Sequence, residues 1–257
     1  MKIKYFLPNN TIDKGKNKFL VFLKNFFNYL IKLPLRWISR NINYENTNKI
    51  TSYSLNNKYF KNVKNTKFFK KRDQLWIDAF DNYINKNDKI VFIEFGVYEG
   101  KSIKVFSDLI KNPKSKIFGF DTFSGMPEKW NQVHVGAWST SGKFPNIQDN
   151  RIEFVKGLFQ DTLNDYLEKF QDLKKQNYTF VIHLDADLYS STLFVLSKLS
   201  FLDEFFVFFD EFSGDENRAL KSFLEAYYFY NVKFYSHTKG FANEPHKVFT
   251  RIFKRKN

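Results

Sequence analysis

An apolar run that ends in an acid and is followed by two glycines dictates how this chain can fold. The run reads Lys89-Ile-Val-Phe-Ile-Glu-Phe-Gly-Val-Tyr-Glu-Gly-Lys-Ser102. Residues 90 to 95 are β-branched and aromatic, which is typical of a strand buried on both faces of a parallel sheet. Gly96 and Gly100 allow a sharp turn, after which residues 102 to 110 read as a helix. The run therefore predicts a strand, a glycine turn and a helix N-terminus, where ligands bind in open α/β sheets.

The chemistry of this turn limits the kind of ligand. The pattern Glu94-x-Gly96-x-x-x-Gly100 is neither the dinucleotide fingerprint nor a P-loop, because no Gly-Lys-Ser/Thr follows at P-loop spacing. An acid at the strand end repels a pyrophosphate and attracts a cation. The pattern favours a cofactor that carries an amine or a sulfonium.

A second apolar run ends in Asp121, 27 residues after Glu94. An acid at the carboxyl end of the second strand can hydrogen-bond both hydroxyls of a ribose, as in the dinucleotide-binding folds. The alternative is that Asp121 caps the turn that follows it.

At these residues the chain resembles class I S-adenosylmethionine-dependent methyltransferases. The segment Asp121-Thr-Phe-Ser-Gly-Met-Pro-Glu128 narrows the resemblance to the macrocin O-methyltransferase family of sugar-modifying enzymes. The resemblance runs from about Leu75 to Phe253, and four more motifs carry it: Gly136-Ala-Trp-Ser-Thr140, Val155-Lys-Gly-Leu-Phe-Gln-Asp-Thr162, His183-Leu-Asp-Ala-Asp-Leu-Tyr-Ser-Ser-Thr192 and Phe209-Asp-Glu-Phe212.

The resemblance implies a Rossmann-like α/β fold and S-adenosylmethionine as cofactor. The expected sheet has seven strands, mostly parallel with an antiparallel last strand, and helices on both faces. Around the glycine turn and the second strand, the expected cofactor contacts are Glu94, Gly96, Tyr98, Gly100, Ser102, Asp121 and Thr122. After a third strand over residues 151 to 156, Phe159 would lie against the adenine ring, with Gln160 or Asp161 on its edge. The alternative for Asp161 is an N-cap role.

Periodicity supports this element order along the rest of the chain. Helical spacing predicts helices over residues 73 to 85, 161 to 175, 189 to 201 and 215 to 230, and apolar runs predict strands over residues 178 to 185, 205 to 210, 232 to 237 and 247 to 253. The long loop from residue 122 to 150 contains Trp130, His134 and Trp138. Because aromatic faces suit sugar rings, we expect this loop to be a substrate lid.

Acidic residues follow the fourth and fifth strands. If these strands are neighbours, Asp185, Asp210 and Glu211 converge, and their hard oxygen atoms suit Mg²⁺. In the family the equivalent acids bind Mg²⁺, although Glu211 stands where family members often carry Asp or Asn. We expect Asp185 to be both ligand and general base, with Asp187 and His134 as further catalytic candidates. The alternative for Asp187 is an N-cap role in the next helix.

These residues predict an Mg²⁺-dependent O-methyltransferase that acts on a hydroxyl of a sugar, glycoconjugate or natural product. A metal-dependent glycosyltransferase is the strongest alternative, because Asp185-Ala-Asp187 also fits the D-x-D element of those enzymes. A second alternative is a non-catalytic, membrane-associated scaffold on the same fold. Zero cysteines exclude disulfides and thiol catalysis and favour a cytoplasmic setting.

The charge of +14 is concentrated at the N-terminus. Residues 1 to 76 hold 17 Lys/Arg and 3 Asp/Glu, whereas residues 77 to 257 hold 24 of each. We therefore divide the chain into a basic extension over residues 1 to 72, whose second half reads as a linker, and a methyltransferase domain over residues 73 to 257. The neutral domain gives no reason to expect a nucleic-acid partner.

The extension contains an amphipathic segment. Residues 19 to 33 place apolar side chains at helical spacing beside Lys24 and Lys32, and Pro34 ends the pattern. The apolar stretch is shorter than the roughly 20 residues of a membrane span. Residues 19 to 40 fit the interface of an anionic membrane, at the inner face of the cell membrane. The alternatives are packing on the domain, formation of a homo-oligomer and, as the least favoured, contact of this basic segment with nucleic acid.

Overall fold

The computed structural model describes residues 59–130, 132–212, 214–240 and 244–255, which form an eight-stranded sheet with helices on both faces. The strands are β1 (Lys67–Phe69), β2 (Ile90–Phe95), β3 (Lys116–Asp121), β4 (Ile152–Lys156), β5 (Thr179–Leu184), β6 (Glu204–Phe209), β7 (Tyr230–Lys239) and β8 (Pro245–Lys254). The helices are α1 (Arg72–Asn82), α2 (Lys101–Leu109), α3 (Phe159–Thr162), α4 (Leu167–Lys175), α5 (Tyr189–Lys198) and α6 (Asp215–Ala226). The amphipathic segment predicted over residues 19 to 33 lies outside the described residues.

The strand order is β1-β7-β8-β6-β5-β2-β3-β4. Strand β8 is antiparallel to β6 and β7, while the other neighbouring pairs are parallel. Parallel strands joined through helices end at the same edge of the sheet. The carboxyl ends of β2, β3, β5 and β6 therefore lie side by side, as the sequence predicts.

Strand β2 is central, and all six of its residues are buried. Its side chains alternate between two cores because successive strand residues point to opposite faces. Ile90 and Phe92 pack with α1 and α2. Val91, Ile93 and Phe95 pack in the other core, with α4, α5 and α6. Burial on both faces explains the unbroken apolar run.

The sheet has one strand more than the seven predicted. Strand β1 pairs in parallel with the edge of β7, and Phe60 and Val63 just before it are buried in the main core. The folded unit therefore begins before residue 73, the predicted domain boundary. A three-residue strand in an Asn- and Lys-rich segment has no alternation to reveal it, which is why the segment reads as a linker.

The other elements agree with the sequence apart from their ends and one interruption. The helix predicted over residues 161 to 175 divides into α3, a 3₁₀ turn at Leu163–Tyr166, and α4. Within the described chain no helix is long and apolar enough to cross a bilayer.

Candidate cofactor and metal site

The turn after β2 approaches β5 too closely for any side chain but hydrogen. Gly96 has a φ of +93°, and a Cβ atom there would lie 1.9 Å from the backbone oxygen of Asp185. The N–H of Gly96 donates to the backbone oxygen of Phe120 at 2.9 Å. Gly100, at φ +78°, is the N-cap residue of α2. The two glycines therefore fold the turn across the ends of β3 and β5.

Asp121 fixes this turn to the end of β3. Its Oδ2 accepts hydrogen bonds from the N–H groups of Val97 at 2.7 Å and Tyr98 at 2.8 Å. Its Oδ1 accepts one from the N–H of Phe123 at 2.7 Å. The carboxylate thus caps the following turn, which was the alternative, and also faces the cavity described below. The hydroxyl of Thr122 lies 3.5 Å from Oδ1 but donates at 2.8 Å to the backbone oxygen of Gly125, so one of the about four acceptor positions of the carboxylate can take a further donor.

A single cavity of about 440 Å³ opens at the carboxyl ends of these strands. It brings together most of the residues predicted from the sequence: Gly96, Tyr98, Ser102, Asp121, Thr122, Phe159, Gln160, Asp185, Asp187, Asp210 and Glu211. The ring of Phe159 lies edge-on to Phe95, with 5.1 Å between ring centroids. The cavity joins the turn expected for the cofactor to the acids expected for the metal.

Four predicted residues do not line this cavity. Glu94 is fully buried: strand alternation places it on the same face as Ile90 and Phe92, where its Oε1 is 2.7 Å from Nδ1 of His183. Gly100 shapes the turn and packs against Pro145. His134 and Asp161 are exposed to solvent.

The two N-cap alternatives are also wrong. Helix α3 begins at Phe159 and includes Asp161, so Asp161 is not its N-cap residue. Leu188 is the N-cap residue of α5, and no side chain caps that helix. Asp187 instead adopts a φ of +56° and faces the cavity. A non-glycine residue in this region is strained, which is common in functional sites.

The acid group consists of Asp185 and Asp187 after β5, and Asp210 and Glu211 after β6. Cationic side chains lie beside Asp210 and Glu211. The Nζ of Lys247 lies 2.5 Å from Oδ2 of Asp210 and 3.3 Å from Oε1 of Glu211. A guanidinium nitrogen of Arg72 lies 3.6 Å from Oδ1 of Asp210.

His183 connects this group to Glu94 through the core. Its Nδ1 is hydrogen-bonded to Oε1 of Glu94 at 2.7 Å, and its Nε2 lies 3.8 Å from Oδ1 of Asp210. That Nε2 has no hydrogen-bond partner in the described part of the chain. One ligand atom each from His183, Asp185 and Asp210 lies within 4.8 Å of the others, so these atoms can share a metal ion.

Burial and neighbouring charges perturb these groups in opposite directions. Burial, and then the charge of Asp210, raise the pKa of Asp185 to about 8. Burial, and then the charges of Glu211 and Asp210, raise the pKa of Asp187 to about 7. Burial opposes the charge of His183, but the carboxylates of Asp210 and Glu94 raise its pKa to about 10. Burial also opposes the charge of Asp210, but His183 and Lys247 hold its pKa well below the ordinary value.

The predicted lid loop, residues 122 to 150, forms one wall of the cavity. Trp130 and Trp138 line it, with their ring centroids 6.3 Å apart. Glu128 accepts a hydrogen bond from the hydroxyl of Ser190 at 3.3 Å, which links the loop to α5 on the acid side.

Sequence reasoning missed three residues of the site: His183, Lys247 and Arg72. A histidine inside the apolar strand Thr179–Leu184 is a signal that could have been used. Lys247 and Arg72 carry no local signal in the sequence. Lys247 reaches the site because β8 pairs with β6, and Arg72 because α1 begins beside the cavity.

Comparisons with known proteins agree with this fold. No protein-family model matches the chain, and no curated protein matches it. Among solved structures, the O-methyltransferase NovP is 17% identical over 72% of this chain and 80% of its own, with a TM-score of 0.50.

Two further structures match less well. The TDP-rhamnose 3'-O-methyltransferase CalS11 is 22% identical over 70% of this chain and 78% of its own, with a TM-score of 0.46. An O-methyltransferase from Bacillus cereus is 12% identical over 85% of this chain and 96% of its own, with a TM-score of 0.41. At 17% identity the match to NovP establishes a fold and nothing finer: together with the strand order, it gives the chain the Rossmann-like fold of class I methyltransferases.

Proposed function

We propose that this protein is an S-adenosylmethionine-dependent O-methyltransferase of the macrocin O-methyltransferase type, which uses Mg²⁺ and methylates a hydroxyl of a sugar or glycoconjugate. One observation carries the proposal: a single cavity joins the turn held by Asp121 to the four carboxylates of the acid group. The part of the cavity beside Asp121 suits a nucleoside with a cationic amino-acid end. The part beside the acid group suits an acceptor hydroxyl.

The cofactor half of the proposal rests on polarity along the cavity. Asp121 retains acceptor capacity for a ribose hydroxyl beyond its three backbone hydrogen bonds. Phe159 offers an aromatic face and Gln160 an amide for the adenine. S-adenosylmethionine supplies a methyl group made electrophilic by its sulfonium, and the nearby carboxylates favour that positive charge.

The donor set of the acid group fits a hard divalent cation. Asp185 and Asp210 supply carboxylate oxygens within 4.8 Å of the fully buried Nε2 of His183, which has no hydrogen-bond partner among the described residues. Asp185 and Asp210 would hold the ion, with His183 beside them, and Glu211 is the further ligand expected from the family. A bound Mg²⁺ supplies the positive charge that stabilises an oxyanion on the acceptor.

The chemistry then needs a proton acceptor and orientation. S-adenosylmethionine would supply the methyl group: the new O–C bond to the acceptor would form as the C–S bond breaks, and the sulfur would keep that electron pair as S-adenosylhomocysteine leaves. The hydroxyl proton passes to a carboxylate, for which Asp185 is our first candidate and Asp187 the second. The faces of Trp130 and Trp138 in the cavity wall favour a sugar ring as the acceptor.

A methyl-transfer assay tests this function directly. The full chain is incubated with S-adenosylmethionine labelled in its methyl group, Mg²⁺, and a panel of sugar nucleotides and glycans. We expect label in a hydroxyl ether of one acceptor, and a loss of at least about 100-fold in rate for Asp185→Asn. Thermal-shift stabilisation by a sugar nucleotide, and none by S-adenosylmethionine, would favour the glycosyltransferase alternative instead.

For the N-terminal extension we propose contact with an anionic membrane through residues 19 to 40, at the cytoplasmic face. The proposal rests on the sequence pattern of Lys24 and Lys32 beside an apolar stripe. A homo-oligomer formed through the same stripe is the competing assignment.

A further inference from the structure

We propose that the ammonium of Lys247 is a built-in cation of the acid group, which keeps Glu211 out of the ligand set of a divalent ion and lowers the affinity of the site for that ion. This inference rests on the proposed function, because it concerns the cation site of the same cavity. It departs from the expectation that Glu211 is a metal ligand.

The position of Lys247 is set by the sheet rather than by a loop. Lys247 lies near the start of β8, and its backbone N–H donates to the hydroxyl of Thr238 on β7 at 3.0 Å. Its side chain is only 16% exposed and reaches Asp210 at 2.5 Å and Glu211 at 3.3 Å. The two carboxylates thus share one ammonium, which belongs to a residue of β8.

Both oxygens of Glu211 face β8. Oε1 faces Lys247, and Oε2 lies 3.3 Å from Nδ1 of His246. The backbone N–H of Glu211 donates to the buried carboxyl of Glu216 at 2.9 Å, which fixes the main chain at this point. Both oxygens of Glu211 therefore already have a partner on β8, with which a metal ion would have to compete.

The charges around the acid group lead to the same conclusion. Asp210 has the ammonium of Lys247, the guanidinium of Arg72 and the ring of His183 within 4 Å. Asp185 and Asp187 have no ion-pair partner within the described ranges. Among the described residues, the cationic partners of the acid group therefore lie beside Asp210 and Glu211, so a divalent ion meets least repulsion on the Asp185 side.

The experiment measures Mn²⁺ binding to the full chain by the electron paramagnetic resonance signal of free Mn²⁺. Removing the ammonium in Lys247→Met should tighten Mn²⁺ binding by at least about tenfold, because a like charge a few ångströms away is removed. Glu211→Gln alone should weaken Mn²⁺ binding by less than about tenfold, because it removes a nearby negative charge but no ligand. The double variant Lys247→Met/Glu211→Gln should lose most of the Mn²⁺ affinity that Lys247→Met alone gains.

Lys254→Met is the matched control. It removes a lysine from the same strand whose partner is Asp203 at 2.8 Å, outside the cavity. Its Mn²⁺ affinity should equal that of the unmodified protein.

Two results would overturn the proposal. One is Mn²⁺ binding to Lys247→Met that is no tighter than to the unmodified protein. The other is a loss of about tenfold or more in Glu211→Gln alone, which would make Glu211 a ligand despite Lys247. The Mn²⁺ affinity of Glu211→Gln does not depend on the Lys247→Met variant, so it can still overturn the proposal if Lys247→Met fails to fold.

Titration of the same samples with S-adenosylmethionine keeps the two proposals apart. If the protein binds S-adenosylmethionine but shows either of the two contradictory Mn²⁺ results, only the role of Lys247 is rejected. A folded, unmodified protein that does not bind S-adenosylmethionine rejects the methyltransferase function, whatever its Mn²⁺ affinity.

Discussion

Gly96 is the residue at which the backbone of the cofactor turn meets that of β5. A Cβ atom there would lie 1.9 Å from the backbone oxygen of Asp185, and residues with a side chain rarely adopt its φ of +93°. We expect Gly96→Ala to lower the free energy of unfolding by about 2–4 kcal/mol, because strain and overlap add. Chemical denaturation measures this loss, and S-adenosylmethionine binding should weaken with it.

Gly136→Ala is the control for this prediction. Gly136 has a similar φ of +81°, but its Cβ atom would meet nothing within 4 Å in the described structure. Only the backbone penalty remains, about 1 kcal/mol. Equal losses in the two variants would mean that the close approach of the turn to β5 is not important.

Glu216 is the residue whose ionisation should make stability depend on pH. It is fully buried, and burial, followed by the charges of Asp210 and Asp185, raises its pKa well above the ordinary value. The unfolded chain loses this proton at a lower pH than the folded one, so stability falls as pH rises above the ordinary pKa of glutamate. Glu216→Gln cannot lose a proton and should gain stability relative to the unmodified protein between about pH 5 and about pH 8.

Urea denaturation at the two pH values measures this difference. Asp172→Asn, which removes an exposed carboxylate, is the control and should leave the pH dependence unchanged. A parallel pH dependence in Glu216→Gln and the unmodified protein would contradict the assignment of a buried, protonated Glu216.

At the residue scale, the sequence predicted Asp121 and the acids after β5 and β6 because the end of a parallel strand fixes where its next residue lies. It could not predict the ion pair of Lys247 with Asp210, since β8 reaches β6 only through the strand order of the finished sheet. It did not predict that the side chain of Glu94, one residue before the end of β2, is buried in the core and does not line the cavity.

Among the elements, β4 is held to α2 by one arginine. The guanidinium of Arg151 donates to the backbone oxygens of Ile110 and Ser107, each at 2.7 Å, and pairs with Asp149 at 2.6 Å. Lysine cannot make these three contacts in their fixed directions. We expect Arg151→Lys to reduce the free energy of unfolding by about 2–3 kcal/mol, as measured by urea denaturation.

The same pair has a defined pH dependence. The Arg151 guanidinium holds the pKa of Asp149 below its ordinary value. The stabilisation is therefore complete above the ordinary pKa of aspartate and is lost as the pH falls through the lowered value.

The exposed pair of Lys169 with Glu153 is the control for Arg151→Lys, since Lys169→Met should cost less than about 1 kcal/mol. An equal cost in both variants would contradict the role given to Arg151.

The elements themselves were largely predictable. Long apolar runs and helical spacing identified β2 to β8 and the main helices, because both patterns reflect burial on the sheet. Strand β1 was not predictable, since pairing with β7, rather than its own sequence pattern, stabilises three residues at the edge. The break between α3 and α4 was also missed, because apolar spacing continues across it.

On the scale of the whole molecule, charge separates two regions with different predicted roles. All of the excess positive charge lies in residues 1 to 76. We expect removal of residues 1 to 40 to abolish sedimentation with vesicles that contain an anionic phospholipid, while S-adenosylmethionine binding is retained. Salt should release the full chain from the vesicles, because electrostatic attraction is screened.

Lys24→Glu combined with Lys32→Glu tests the same idea without shortening the chain. The double variant should also lose vesicle binding. A truncated protein that no longer binds S-adenosylmethionine would instead indicate that the extension packs on the domain. Full-length protein that never sediments with vesicles would contradict the membrane assignment.

Calorimetric titration of the full chain with S-adenosylmethionine tests the central claim most directly. We predict a dissociation constant in roughly the micromolar range, weakened at least about tenfold by Asp121→Ala. Asp161→Ala, which removes an exposed acid outside the cavity, should bind as the unmodified protein does. No binding to the folded protein, or binding that Asp121→Ala leaves unchanged, would contradict the account.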